Sequence, residues 1–166
     1  MVLIYGFILS LPVSVIVFFV NYYSMQRKQC VLWKQILSRC LFAFYMVMLL
    51  AVTFLGRADV EGFSFIPFSS YVEAWQKASL IAWRNIVINI IMFIPFGFLL
   101  PAIYKKADNL MGCFILSFVF SLGIELLQAF SNRGIFEIDD IINNVVGTLV
   151  GYAILKTIRG ILLNSN

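Results

Sequence analysis

Asn85-Ile-Val-Ile-Asn89-Ile-Ile-Met-Phe-Ile-Pro95-Phe-Gly97-Phe-Leu-Leu-Pro101-Ala-Ile-Tyr104 is a run of 20 residues without a charge, bounded by Arg84 and Lys105. At 1.5 Å of rise per residue such a helix is about 30 Å long, the thickness of a bilayer's hydrocarbon core. Two prolines inside or at the end of the run would break a helix in water. Neighbouring helices in a membrane bundle can satisfy the carbonyl that a proline frees. The rest of the chain agrees with this reading. Of 166 residues, 62% are hydrophobic and 12% charged, and mean hydropathy is +0.97. A soluble chain of this length has too little interior to hide that much apolar surface. The absence of histidine excludes imidazole catalysis, His-ligated metals and imidazole pH switching.

Outward from Asn85–Tyr104 the same criterion gives an all-α, polytopic membrane bundle of about five spans. The first is Val2–Tyr22, read as retained because its basic residues follow the apolar run instead of preceding it. The second lies between Arg39 and Arg57, the fourth over Leu110–Phe130, and the fifth over Asp140–Leu162, with Lys156 and Arg159 snorkelling at its end. Eight Lys/Arg (Arg27, Lys28, Lys34, Arg39, Lys105, Lys106, Lys156, Arg159) fall on one side and four (Arg57, Lys77, Arg84, Arg133) on the other. The positive-inside rule then puts the N-terminus outside and the C-terminus in the cytoplasm. Cys30, Cys40 and Cys113 fall on or near the reducing side, where neither a disulfide nor a zinc site is expected. No nucleic-acid partner and no cofactor is called for.

The loop before the Asn85 run is more than a connector. Phe63-Ser64-Phe65-Ile66-Pro67-Phe68 is too apolar for water and is expected to dip into the interface or to plug the bundle. Ser70-x-x-Glu73 reads as a capping box opening a short amphipathic helix with Tyr71, Val72, Trp75 and Ala78 on one side and Trp83 near its end.

Intramembrane polar residues are costly, so their placement is informative. In this topology Arg84, Asn85 and Asn89, then Glu125 and Gln128, then Asp139, Asp140, Asn143 and Asn144 all fall in the outer third of their spans. Ser117, Ser121, Glu125 and Gln128 form one helical stripe; Asp140, Asn143, Asn144, Gly147 and Gly151 form another. The stripes should face each other, with Arg84 and Arg133 as counter-charges for Glu125. Such residues can be interhelical glue, and Gly147-x-x-x-Gly151 is a close-packing motif. Pro95 and Gly97 join it as packing positions. As a set, carboxylates, arginines and asparagines open to one leaflet suit an amphiphile with a phosphate or sugar headgroup.

At these residues the chain resembles the VanZ family of bacterial membrane proteins, associated with reduced susceptibility to teicoplanin. The resemblance rests on Ile66-Pro67-Phe68, Asn89-Ile90-Ile91-Met92-Phe93-Ile94-Pro95-Phe96-Gly97, Ser121-x-x-x-Glu125-x-x-Gln128, Arg133, Phe136-Glu137-Ile138-Asp139-Asp140, and Asn144-x-x-Gly147 with Gly151. It covers roughly residues 37–152 and implies a cell-membrane location and a lipoglycopeptide phenotype. Thr148 stands where the family has a second glycine, so looser packing is expected there, and Glu137 stands where Asp is common. Residues 1–36 are then an extra span with its basic loop. Residues 37–166 are a VanZ-like four-helix domain with an outer-face interfacial segment at 57–83.

Three functions follow. The leading one is a non-catalytic envelope protein that binds a lipid-linked or lipidated molecule, such as a cell-wall precursor or a lipoglycopeptide, among membrane lipids. The second is an intramembrane hydrolase or transferase with Glu125 or Asp140 as general base and Arg84 or Arg133 stabilising charge. A divalent cation on Asp139, Asp140 and Asn144 is disfavoured, because adjacent helical residues point about 100° apart. The third is a lipid transporter, which would need a homodimer through the Gly147/Gly151 face.

Overall fold

A computed structural model describes residues 10, 14–15, 17–18, 33–55, 62–132 and 134–164. The expected span Val2–Tyr22 and its basic loop lie almost wholly outside the described residues, as do Arg57 and Arg133. Within them, four helices are long and apolar enough to cross a membrane. These are α1 (Trp33–Leu55), α3 (Leu80–Ile103), α4 (Leu110–Phe130) and α5 (Ile138–Asn164), with a short α2 (Ser69–Gln76) between the first two. Arg39 does not bound α1 as expected. The helix runs through it from Trp33, because Arg is a good helix former whose long stem lets the charge reach water.

Local sequence explains the other starts. Ser79 accepts from the Ala82 amide at 3.3 Å and caps α3. Asn109 accepts from the Gly112 amide at 2.8 Å and caps α4. α3 continues through Pro95 and Pro101. The Tyr45 hydroxyl of α1 donates to the Met92 carbonyl at 2.7 Å, one residue beyond the carbonyl that Pro95 leaves without its helical donor.

The seam between α3 and α5 organises the bundle, and glycine makes it. A Cβ on Gly97 would lie 1.8 Å from the Thr148 carbonyl oxygen. One on Gly147 would lie 2.1 Å from that of Ile90, and one on Gly151 1.9 Å from that of Ile94. Backbones therefore touch at three levels. Two expectations are corrected here. The Gly147/Gly151 face is occupied by α3 of the same chain and is not free for a second copy. Thr148 does not loosen the packing, since Gly97 supplies the missing volume from the opposite helix and the Thr148 hydroxyl folds back onto the Asn144 carbonyl at 2.9 Å.

The distribution of side chains is inside-out. Ser117, Ser121, Glu125, Gln128, Asn143 and Thr148 are buried, while Ile91, Val119, Leu127 and Val150 face outward. This suits a bundle whose surroundings are hydrocarbon. A smaller apolar core forms around Leu49, Phe93, Phe96, Leu100 and Ile124, with Phe96 stacked on Phe120 at 5.0 Å.

Two short strands, β1 (Phe63–Ser64) and β2 (Phe136–Glu137), pair in parallel with Phe63 opposite Phe136. Phe63, Phe65, Ile66 and Phe68 are all more than half exposed, so the segment does not plug the bundle. Instead Phe63, Phe65 and Phe136 form an aromatic shelf with centroids 5.4–6.0 Å apart.

Candidate functional site

α1, α3, α4 and α5 alternate in direction, so the C-termini of α1 and α4 meet the N-termini of α3 and α5. The helix ends are tied together there by side chains. The Gln128 amide of α4 donates to the Thr53 carbonyl of α1 at 3.0 Å. Asn89 of α3 donates to the Asp140 carboxylate of α5 at 2.5 Å, and Asn144 of α5 donates to Ser121 of α4 at 2.8 Å. The two polar stripes therefore do face each other. At the opposite end, Lys156 and Arg159 of α5 reach Asp108 at 3.1 Å and 2.8 Å.

Between α1, α3 and residues 134–140 is a cavity of about 480 Å³. Arg84, Asn85, Asn89 and Asp140 line it, so it gathers four of the expected site residues from two helices. Thr53, Ser70, Glu73 and Glu137 line it as well. Thr53 is a lone polar residue near the end of an apolar span, a weak signal by itself. Glu137 has a clearer one. In a strand successive side chains alternate, and Ile135 and Glu137 line the cavity while Phe136 and Ile138 line a separate, wholly apolar groove of about 560 Å³ beside α4 and α5. β2 is thus a partition between a polar and an apolar compartment.

Three expected residues stand behind the lining. Glu125 is 1% exposed, and its Oε2 accepts from the Glu137 amide at 3.1 Å, which fixes the strand that carries Glu137. Gln128 and Asn144 are buried among the helices. Each leaves one side-chain atom, Gln128 Oε1 and Asn144 Oδ1, with no hydrogen-bond partner among the described residues, as does Asn143 Nδ2. A self-contained polar glue would match its donors to acceptors. Arg133 lies outside the described residues.

Asp139 points elsewhere. Its Oδ1 accepts from the Phe68 amide at 2.5 Å and its Oδ2 from the Ser70 amide at 2.7 Å. This corrects the expected capping box. Phe68 is the residue before α2, in the left-handed region at φ 64°, with no side-chain cap. The negative charge that completes the helix start comes instead from α5, 71 residues away. Glu73 pairs with Lys77 at 3.0 Å, and the Ser70 hydroxyl lies 3.3 Å from Glu137. The Tyr71 hydroxyl donates to Asn143 Oδ1. Burial, then the negative charge of Asp139, pushes the Tyr71 phenol above its ordinary range, so it stays a donor. α2 is therefore latched to α5 at two points, while Val72 and Trp75 turn outward.

Asp139 and Asp140 diverge, one to the α2 backbone and one to Asn89. Among the described residues no group of three or more Cys, Asp or Glu is arranged to hold a metal ion.

Comparison with known proteins agrees with the residue pattern. No solved structure is matched. Protein VanZ of Enterococcus faecium is 32% identical over 121 residues, covering 70% of this chain and 72% of that protein. The VanZ/LLP1 family model matches residues 42–159, which run from within α1 to within α5 and include every lining residue of the cavity. The chain belongs to the VanZ/LLP1 family of membrane proteins.

Proposed function

We propose that this protein lowers susceptibility to teicoplanin-type lipoglycopeptides by receiving the headgroup of a lipid-linked or lipidated molecule in the cavity at the outer leaflet. One observation carries the reading: Arg84, Asn85, Asn89 and Asp140 meet in a single opening of about 480 Å³ at one end of an apolar bundle. An amphiphile needs that combination, a polar recess for the head beside hydrocarbon for the tail. Phe63 and Phe65 of the aromatic shelf are exposed, the outward Trp75 is 80% exposed at the same end, and aromatic residues favour headgroup depth. The cavity end faces outward because Lys105, Lys106, Lys156 and Arg159 hold the other end at the cytoplasm.

Orientation is tested with single cysteines in place of Ser70 and Asn132. Both should react with an impermeant thiol reagent in intact cells, and Cys30 should not. Labelling of Cys30 alone would reverse the bundle and remove the outer-leaflet role. Binding is tested with Asn89→Leu, which fills the recess with an apolar side chain. Teicoplanin tolerance should fall to the level of cells without the protein while its amount in the membrane is unchanged. Full tolerance in that variant rejects the cavity as the site.

A further inference from the structure

The apolar groove of about 560 Å³ on the far side of β2 is built from two helical stripes. On α4 the stripe is Phe114, Phe118 and Leu122, spaced i, i+4 and i+8; on α5 it runs from Ile138 to Leu149. In a soluble bundle a third helix would close two such stripes. Among the described residues no third helix contributes to the lining. Phe136, Ile141 and Val145 are buried on the floor of the groove, while Phe118 and Val146 stand exposed on its rim.

Its length is informative. From Ile138 to Leu149 it follows about three turns of α5, or about 16 Å. That is the depth of one leaflet of a hydrocarbon core about 30 Å thick. Phe65 and Phe136, with ring centroids 5.4 Å apart, line its end at the start of α5, and aromatic rings favour headgroup depth.

A groove in the side of a membrane bundle is filled by another helix or by hydrocarbon. Helices that associate in a membrane bring small residues to the contact, and this chain does so at its own seam with Gly97, Gly147 and Gly151. The described lining of the groove is Phe, Leu, Ile and Val alone, which holds a second backbone at a distance. Its α4 flank suits a straight chain instead, since the Phe114 and Phe118 rings are stacked 6.4 Å apart and 11° from parallel. Left unfilled, the floor would forfeit its dispersion contacts. Hydrocarbon lying along it supplies them.

We infer that this groove binds one acyl chain of a membrane glycerolipid, held along α4 and α5 through the leaflet at the cavity end. The site is separate from the headgroup cavity, with β2 as the wall between them, and it does not depend on what the cavity receives.

The test uses the full chain in phosphatidylcholine nanodiscs that contain a phosphatidylcholine analogue with a diazirine at mid-chain. After irradiation, labelled residues are mapped by peptide mass spectrometry. Phe118, Leu122, Ile142 and Val145 should be labelled at least about tenfold more than Val87 and Ile91. Val87 and Ile91 are exposed on α3 and line neither compartment, and all six residues lie within about three turns of the cavity end. Val145→Phe, which fills the floor, should bring groove labelling down to the level of Val87 with the thermal transition retained. Val146→Trp, placed on the exposed rim where the fold is least disturbed, should do the same. Asn89→Leu should leave groove labelling unchanged.

Equal labelling of the two faces would reveal ordinary boundary lipid and overturn the site. Chain-to-chain cross-links with the groove residues unlabelled would give the groove to a second copy, and labelling that persists in both filled variants would place the lipid elsewhere; each overturns the inference as well. Loss of groove labelling in Asn89→Leu would overturn its independence of the cavity. The cavity reading stands or falls separately, on teicoplanin tolerance.

Discussion

At the cavity end of the bundle Asp139 and Asp140 are 1% and 7% exposed, and their oxygens are committed to backbone amides of α2 and to Asn89 of α3. At the opposite end Asp108 keeps 40% of its side-chain surface and shares Lys156 and Arg159, both more than a third exposed. Both ends carry carboxylates, yet one has withdrawn them from water to shape a recess and the other has left them in a surface ion pair. Buried acceptors are strongly destabilising when they lose their partners, whereas exposed pairs contribute little. The two ends should therefore respond to mutation very differently. The glycine seam between them should be the most sensitive part of all.

The seam sets the upper limit. Gly97→Ala places a methyl group 1.8 Å from the Thr148 carbonyl oxygen. The clash is with backbone, so no rotamer relieves it, and α3 and α5 must separate. Overpacking costs typically about 1–3 kcal/mol where side chains can yield, and here they cannot. The expected outcome is loss of monodisperse protein in size-exclusion chromatography. A normal thermal transition for Gly97→Ala would show that the seam is not the close contact described.

Asp139→Asn comes next. The amide keeps one acceptor and loses the charge, so one of the two bonds to α2 is weakened and Phe68 loses support for its left-handed backbone. The bundle should lose about 1–3 kcal/mol, with faster amide exchange confined to Phe68–Tyr71. Exchange that rises evenly along the chain would remove the latch.

Much of this was readable from the residues alone. Runs such as Asn85–Tyr104 dictate spans because length and apolarity are all the bilayer asks of them, and Leu110–Phe130 is a helix with those same ends. The facing of the two polar stripes followed from helical period and alternating direction. What period could not reveal is long-range assignment. Ser70 and Glu73 have the spacing of a capping box, yet Asp139 does the capping, because a carboxylate from α5 competes better for the first amides of α2 than a local hydroxyl. Glycine spacing on α5 announced a close contact but not its partner, and only the complementary Gly97 on α3 identifies it as internal. Glu137 escaped notice as a lining residue because two-residue strands leave almost no pattern.

Between the extremes lies a pair that separates chemistry from scaffolding. Asp140→Asn alters the lining, while Glu125→Gln alters the support of β2 from behind. Each should retain folded protein, as an amide can replace one acceptor in either place. Asp140→Asn should lower teicoplanin tolerance through the cavity itself, whereas Glu125→Gln should act only as far as Glu137 moves. Equal and complete loss in both, with normal amounts of protein, would make Glu125 part of the site.

The opposite end gives the smallest effect and the clearest dependence on conditions. Burial pushes the Asp108 carboxyl upward, but hydrogen bonding and charge from Lys156 and Arg159 outweigh it and hold the group below its ordinary range. A carboxylate with a depressed folded-state pKa contributes stability that is present above the unfolded value and lost as pH falls through the folded one. The contribution should therefore be constant near neutrality and disappear only in acid, below about pH 4. Asp108→Asn should reproduce the acid state at every pH, at a cost below about 1 kcal/mol given the exposure of all three partners. Raised salt should shrink that cost further by screening, while the cost of Asp139→Asn should persist because Asp139 is itself buried and bonds directly to two backbone amides. The decisive measurement is thermal unfolding of both variants at low and high salt. If the two lose stability equally, or if salt erases the Asp139 effect and spares that of Asp108, the contrast between the buried and the exposed end fails.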